Sequence, residues 1–177
     1  DPPVMTAGAT LAYTENSSPA AIDNTITITD DDDIQIDGAT ATISSGITTG
    51  DILTLSAQLG ISGTYDNSTG ILTITGTASL SDYETTLQSI TYHSTSEDPT
   101  ITAGTRTITW AVTDADSDGV GAETSTAVTS TINITPINDP PVMTAGATLA
   151  YTENSSPAAI DNTITITDDD DIQIDGA

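Results

Sequence analysis

Ile22-Asp23-Asn24-Thr25-Ile26-Thr27-Ile28-Thr29-Asp30-Asp31-Asp32-Asp33-Ile34-Gln35-Ile36-Asp37-Gly38 is the stretch from which the fold is read. Ile22, Ile26 and Ile28 fall on one parity and the threonines on the other, the period of a half-buried strand. The strand runs straight into four aspartates, and Ile34-Gln35-Ile36 resumes the alternation. Asp37-Gly38 reads as a turn pair before a further strand over 39–43. The same letters return at 160–176. Asp139 to Ala177 copies Asp1 to Ala39 at an offset of 138, without a mismatch over 39 positions. The chain is therefore one complete repeat, 1–138, and the opening of the next, 139–177, with a joint around 136–142. Such a repeat is too long for a small solenoid unit and long enough to hold its own core.

Composition narrows the class. The 177 residues carry 26 Asp and Glu against one Arg and no Lys, a net charge of −25. Nothing in such a chain could neutralise phosphates, so nucleic acid is excluded as a natural partner. An anionic membrane surface would be repelled, and no apolar run is long enough for membrane insertion. Cysteine is absent, so a metal or a full core must stabilise the domain instead of disulfides. The chain is read as starting inside a repeat array, so any targeting signal is expected elsewhere.

The other segments follow the same alternation. A first edge strand is expected around Leu11–Tyr13. Strands over 61–65 and 71–75 flank Asp66-Asn67-Ser68-Thr69-Gly70 as a hairpin. Ser81-Asp82-Tyr83-Glu84 reads as a capping box, with Ser81 as N-cap of a short helix over 82–88, the only helix expected. Residues 88–94 return to strand. Arg106, Ile108, Trp110 and Val112 share one parity of a strand that ends at Asp114-Ala115-Asp116-Ser117-Asp118-Gly119, and 124–134 is the last strand of the repeat. Short strands with frequent turn signals predict an all-β, Ig-like Greek-key β-sandwich with one short helix. Trp110 belongs to its core. Arg106, on the same inward parity, is expected to pair with Asp82 or Glu84.

Four acidic groups stand out: Glu15, Asp30 to Asp33, Asp114/Asp116/Asp118, and Asn138-Asp139. Two like charges ~4 Å apart cost about 4 kcal/mol at an effective dielectric of 20. With one Arg in the chain, a fold that gathers several carboxylates needs a cation from solution. Oxygen-only ligands in flexible loops suit Ca2+ over magnesium or zinc. An aspartate run by itself is more often a solvated loop. Asp114-x-Asp-x-Asp-Gly opens like an EF-hand loop, but Ser125 stands where the bidentate Glu belongs, and the flanks read as strands. His93 has no nucleophile pattern beside it, and no nucleophile elbow occurs. A glycosidase groove would need more aromatics than five Tyr and one Trp provide. No enzyme is expected. Asn16, Asn67 and Asn133 fit the N-x-Ser/Thr glycosylation pattern, a match that a Thr-rich chain produces by chance.

Asn138-Asp139-Pro140-Pro141-Val142 resembles the inter-domain linker of cadherins and of bacterial cadherin-like repeats. Thr14-Glu15-Asn16 is similar to the Pro-Glu-Asn element near a cadherin domain's start. Thr29 to Asp33, followed by Asp37-Gly38, resembles the Asp-x-Asp loop after the second strand. Leu80 to Glu84 falls where cadherins carry Leu-Asp-Arg-Glu, and Val112 to Asp116 where they carry Ala-x-Asp. From Asp82-Tyr83-Glu84 through Leu87, Ile90 and Tyr92 to Arg106 and Ile108, the repeat resembles those of giant type I-secreted (RTX-type) bacterial adhesins.

The resemblance implies a calcium joint. Its ligands would be Glu15, Asp82 or Glu84, Asp114 or Asp116, Asn138 and Asp139, with Asp169 and Asp171 of the next repeat. Asp31, Asp33 and Glu153 are the equivalents of Asp169, Asp171 and Glu15 in the other copy. Pro136 stands where cadherins place an Asp, and four consecutive Asp leave the register open by one residue. The implied function is an extender of an extracellular adhesin on a bacterial cell surface. Its partners are neighbouring repeats and calcium, and other domains carry the distal binding. The rival readings are a filament subunit with lateral contacts and a repeat that itself binds a glycan or ice.

Overall fold

A computed structural model describes residues 1–117 and 119–174. They divide into two units, Asp1–Ile137 and Asn138–Ala177. The first unit is all-β with one short helix, as the alternation predicts. In chain order its strands are β1 (Val4–Thr6), β2 (Thr10–Thr14), β3 (Ala20–Ala21), β4 (Thr27–Thr29), β5 (Gln35–Ser45), β6 (Asp51–Thr54), β7 (Ser62–Asp66) and β8 (Ile71–Ser79). Helix α1 (Leu80–Gln88) then precedes β9 (Thr91–Ser94), β10 (Thr105–Asp114) and β11 (Val128–Thr135).

A six-stranded sheet in the order β2-β11-β10-β5-β8-β7 forms one layer. A three-stranded sheet, β3-β9-β6, and the pair β1-β4 complete the sandwich. Neighbours are antiparallel except β2, which runs parallel to β11, with Leu11 opposite Ile132 and Tyr13 opposite Ile134. Crossovers of this kind separate sequence neighbours into different sheets, the hallmark of Greek-key sandwiches.

Side-chain parity makes the core. On β10 Arg106, Ile108, Trp110, Val112 and Asp114 all point inward and are buried, while the threonines between them face outward. Ile22, Ile26 and Ile28 are buried together, but the strand expected from Ile22 onward is interrupted: Asn24-Thr25 is a turn closed by Asp23, and only Thr27–Thr29 is strand. Both sheets and the helix contribute, with Ile74, Trp110 and Ile132 from one side, Leu53 and Tyr92 from the other, and Tyr83 and Leu87 from α1. The Tyr13 and Tyr92 rings meet edge to face, centroids 5.0 Å apart.

Two polar centres sit inside this core. Arg106 pairs with Asp51, not with Asp82 or Glu84, because β6 faces β10 across the sandwich while α1 caps a different side. Its Nε lies 2.6 Å from Asp51 Oδ2, and both side chains are fully buried. Nη1 donates to the carbonyl of Ala103 and Nη2 to that of Pro99, both at 2.6 Å. Asp51 also accepts from the Tyr92 hydroxyl at 2.6 Å and the Thr48 amide at 2.8 Å. Burial, and then donation to this carboxylate, push the Tyr92 phenol far up.

The second centre is Asp23. It accepts from the amides of Gly8 and Ala9, each at 2.9 Å, from Thr25, and from Ser130 Oγ at 2.6 Å. Ser130 Oγ in turn accepts from Trp110 Nε1 at 2.9 Å. Burial raises the carboxyl's pKa. The bonds from Gly8, Ser130, Thr25 and Ala9 outweigh burial and hold it well below the carboxylate range.

Two local expectations are corrected. The helix starts two residues earlier than Ser81 suggests. Ser79 is the N-cap, extended at φ −66 and ψ 158, and its side chain accepts from the Asp82 amide. β8 runs directly into α1, so the cap is the last strand residue and Asp82 takes the third helical position, where the sequence reading placed Glu84. Asp37-Gly38 is not a turn. It lies inside the 11-residue β5, where the pairing with β8 shifts register between Ile36 and Gly38. The extra residue is absorbed as a bulge.

In the second unit, β12 (Val142–Thr144) and β13 (Thr165–Thr167) pair with Val142 opposite Thr167, the register that β1 and β4 adopt between Val4 and Thr29. Asp161 accepts from Gly146, Ala147 and Thr163 as Asp23 does from their counterparts. The side chains are not covered. Met143 is 66% exposed where Met5 is 5%, because residues 138–177 hold no counterparts of β6 to β11.

Candidate metal centre

One group of acidic residues collects at one end of the six-stranded sheet. β4 delivers Asp30 to that end, the turn after it delivers Asp33, and β10 stops there at Asp114. Carboxylate oxygens of Asp30, Asp33 and Asp114 lie within 4.8 Å of one another. Asp33 and Asp114 are buried, at 5% and 1% exposure.

The loops hold themselves in place by local bonds. Asp30 Oδ1 accepts from the amides of Asp32 at 3.2 Å and Asp33 at 3.0 Å. Asp33 Oδ1 accepts from both the amide and the hydroxyl of Ser117, tying the two loops together. Asp114 accepts from the Glu123 amide at 2.9 and 3.0 Å, and its own amide donates to the Glu123 carbonyl at 3.1 Å. Asp116, with φ of 50°, accepts from the Gly121 amide at 2.7 Å and is exposed. These bonds leave Asp30 Oδ2 buried with no hydrogen-bond donor. A carboxylate oxygen in that position, beside two more carboxylates, is electrostatically costly unless a cation sits among them.

The linker aspartate approaches the aspartate loop of its own repeat. The Asp139 backbone nitrogen donates to Asp170, the counterpart of Asp32. Asn138 Nδ2 donates to the Asp139 carbonyl at 2.9 Å.

The other candidate residues are placed differently. Glu15 is buried at the opposite end of the repeat. Its amide donates to the Thr135 carbonyl at 3.0 Å, and its Oε2 accepts from the Ile137 amide at 2.7 Å. β11 runs antiparallel to β10, with Thr105 opposite Asn133, so Asp114 and Glu15 are separated by the strand's length, roughly 30 Å at ~3.3 Å per residue. One complete repeat thus carries acids at both ends, not one combined set. Asn16 Nδ2 donates to Glu97 Oε2 at 3.3 Å, which brings Glu97 to the Glu15 end.

Asp82 accepts from Ser79 Oγ at 2.7 Å, and Glu84 accepts from the Ile28 amide at 2.7 Å. Both acids serve to seat α1, and neither joins the cluster. Asp31 is exposed, as are Glu153, Asp169 and Asp171. Asp118 lies outside the described residues. Within the aspartate run whose register the sequence left open, it is Asp30 that meets Asp33 and Asp114; Glu97 was not singled out. The fixed Asp-x-Asp spacing favoured Asp31 with Asp33, whereas the turn that Asp30 closes onto Asp32 and Asp33 favours the i, i+3 pair. For Glu97 no sequence signal exists beyond its charge.

No family model matches the chain. It is similar to halomucin, a very long protein of Haloquadratum walsbyi, with 35% identity over 95 residues. Those residues are 50% of this chain and 1% of that protein.

Proposed function

We propose that this chain is a calcium-stiffened extender repeat of a large cell-surface adhesin, projecting a distal binding domain away from the cell. One observation carries the reading. Asp30, Asp33 and Asp114 converge with a buried, donor-free oxygen at Asp30, and Asp30 to Asp33 recur unchanged as Asp168 to Asp171. The similarity to a stretch of halomucin supports a place in a large surface protein.

The mechanism is mechanical. A cation held by the Asp30 and Asp114 loops locks the end of the sandwich against the repulsion of its own carboxylates. Oxygen donors in loops select calcium. The resemblance to cadherin-like repeats adds Glu15, Asn138 and Asp139 as ligands where one repeat follows another, and Pro140-Pro141 removes freedom from the linker. Each repeat then adds about 45 Å, from strands at ~3.3 Å per residue, loops and linker. Identical repeats suit a spacer whose only variable is length.

Thermal unfolding and small-angle scattering of a two-repeat protein, with calcium and with chelator, test this. A large rise in melting temperature and an extended shape that collapses on chelation are expected. Stability and shape that ignore calcium would sink the proposal. A filament subunit with lateral contacts is the second reading. It draws on β7, the outer strand of the six-stranded sheet, whose Ser62-Gly63-Thr64-Tyr65-Asp66 carries neither Pro nor Lys to blunt its edge.

A further inference from the structure

We infer that Asn67 is an N-glycosylation site of the extracellular protein, and that its glycan stands beside the open β7 edge. The inference rests on the extracellular reading above. Asn16, Asn67, Asn133 and Asn154 each begin an Asn-x-Ser/Thr triplet. The sequence alone gives no way to rank them, and the fold separates them.

Asn133 lies in β11, laddered on one side to Thr105 of β10 and on the other to Ala12 of β2. A transferase cannot wrap around a backbone held in the middle of a sheet. Asn16 sits at φ 60° directly after the buried Glu15, with its Nδ2 donated to Glu97. Asn154 repeats that sequence and that backbone, at φ 64°.

Asn67 is different. It stands at the tip of the β7–β8 hairpin and is exposed. The turn is fixed by its neighbours, not by Asn67. Asp66 Oδ1 accepts from the Ser68 amide at 2.8 Å and the Ser68 hydroxyl at 2.6 Å, and the Asp66 carbonyl accepts from the Gly70 amide at 2.8 Å. Gly70 supplies the positive φ of 72° that closes the loop. The acceptor amide is therefore presented on a rigid stalk, followed by Thr69 two residues on. Asn, Ser, Thr and Gly fill the tip, so a bulky substituent displaces no packing.

The chemistry needs a lipid-diphosphate-linked oligosaccharide as donor. The Asn67 Nδ2–anomeric carbon bond forms and the anomeric carbon–phosphate oxygen bond breaks. The diphosphate leaves with the lipid, and the lost amide proton passes to a general base of the transferase. The position has a physical consequence. β2, which leads into Glu15, is at one edge of the six-stranded sheet, and the hairpin is at the other, five strand spacings or about 24 Å away at ~4.8 Å each. A glycan there stands beside the open outer edge of β7, across the width of the sheet from β2.

The test is protease shaving of intact producing cells, followed by peptide mass mapping of the released parent protein. The Asn67 peptide is expected to carry added sugar mass, and the Asn16 and Asn133 peptides their bare masses. Substituting N67Q should abolish the added mass and leave the melting temperature unchanged. Surface-released protein with a bare Asn67 peptide overturns this inference alone. A parent protein absent from the shaved fraction overturns the extracellular reading and this site with it.

Discussion

Arg106 and Asp51 form a fully buried ion pair, Nε to Oδ2 at 2.6 Å and Nη2 to Oδ1 at 3.3 Å, across 55 residues of sequence. The only cationic side chain of a chain with net charge −25 is thus spent inside the core. Asp51→Ala would leave a guanidinium buried without its counter-charge and should cost about 3–5 kcal/mol. Urea denaturation measures this. The double change Asp51→Leu with Arg106→Met, apolar on both sides, should recover much of the loss. A single mutant as stable as the parent would deny the pair any structural role.

Calcium dependence should map onto the cluster residues and not onto α1. With calcium about 100-fold above its dissociation constant, binding to the folded state alone adds ~2.7 kcal/mol. That is roughly 5–10 °C for a domain of this size. Asp114→Asn and Asp30→Asn should remove most of that shift in scanning calorimetry. Asp82→Asn should keep it, since Asp82 is engaged with Ser79.

Acid should destabilise the repeat through Asp23. Its carboxyl titrates below the ordinary range in the folded state because Gly8, Ser130, Thr25 and Ala9 outweigh its burial. The unfolded chain therefore binds this proton more readily. The stabilisation is complete above the unfolded value near ~3.9 and is lost as pH falls through the folded value. Stability measured between neutral pH and pH 2 should fall at the acid end. Asp23→Ala, costing on the order of 3 kcal/mol at neutral pH through orphaned donors, should flatten that fall.

Helix capping separates two serines that stand two positions apart. Ser79→Ala removes the side chain that accepts from the Asp82 amide and should cost ~1 kcal/mol. Ser81→Ala, inside the first turn and exposed, should change stability by less than about 0.5 kcal/mol. Equal effects from the two in parallel denaturation curves would restore Ser81 as the cap.

Gly76 admits no side chain. Its φ is 121°, and a Cβ there would stand 2.3 Å from the backbone carbonyl oxygen of Gly60. Its own carbonyl accepts from the buried Tyr83 hydroxyl at 2.8 Å, which fixes the strand's path. Gly76→Ala should cost about 3 kcal/mol or more. Gly8→Ala meets nothing within 4 Å and should be near neutral on the same assay.

Period-two alternation by itself determined that the chain is all-β and that Ile26, Ile108 and Trp110 belong to the core. The 39 duplicated letters determined that it repeats. These are local or literal properties, because a strand's facing depends only on its own parity. Tertiary structure alone decided which residues meet. Nothing local joins Asp51 to Arg106, Asp23 to Ser130 across 107 residues, or Asp33 to Ser117 across 84. Those contacts follow from the sheet order β2-β11-β10-β5-β8-β7, which brings distant strand ends together. The same order put Glu15 and Asp114 at opposite ends and brought Asp30 and Asp33 to Asp114. Carboxylates in sequence carry the same charge wherever they lie. Only the fold determines which of them are forced close enough to need a cation.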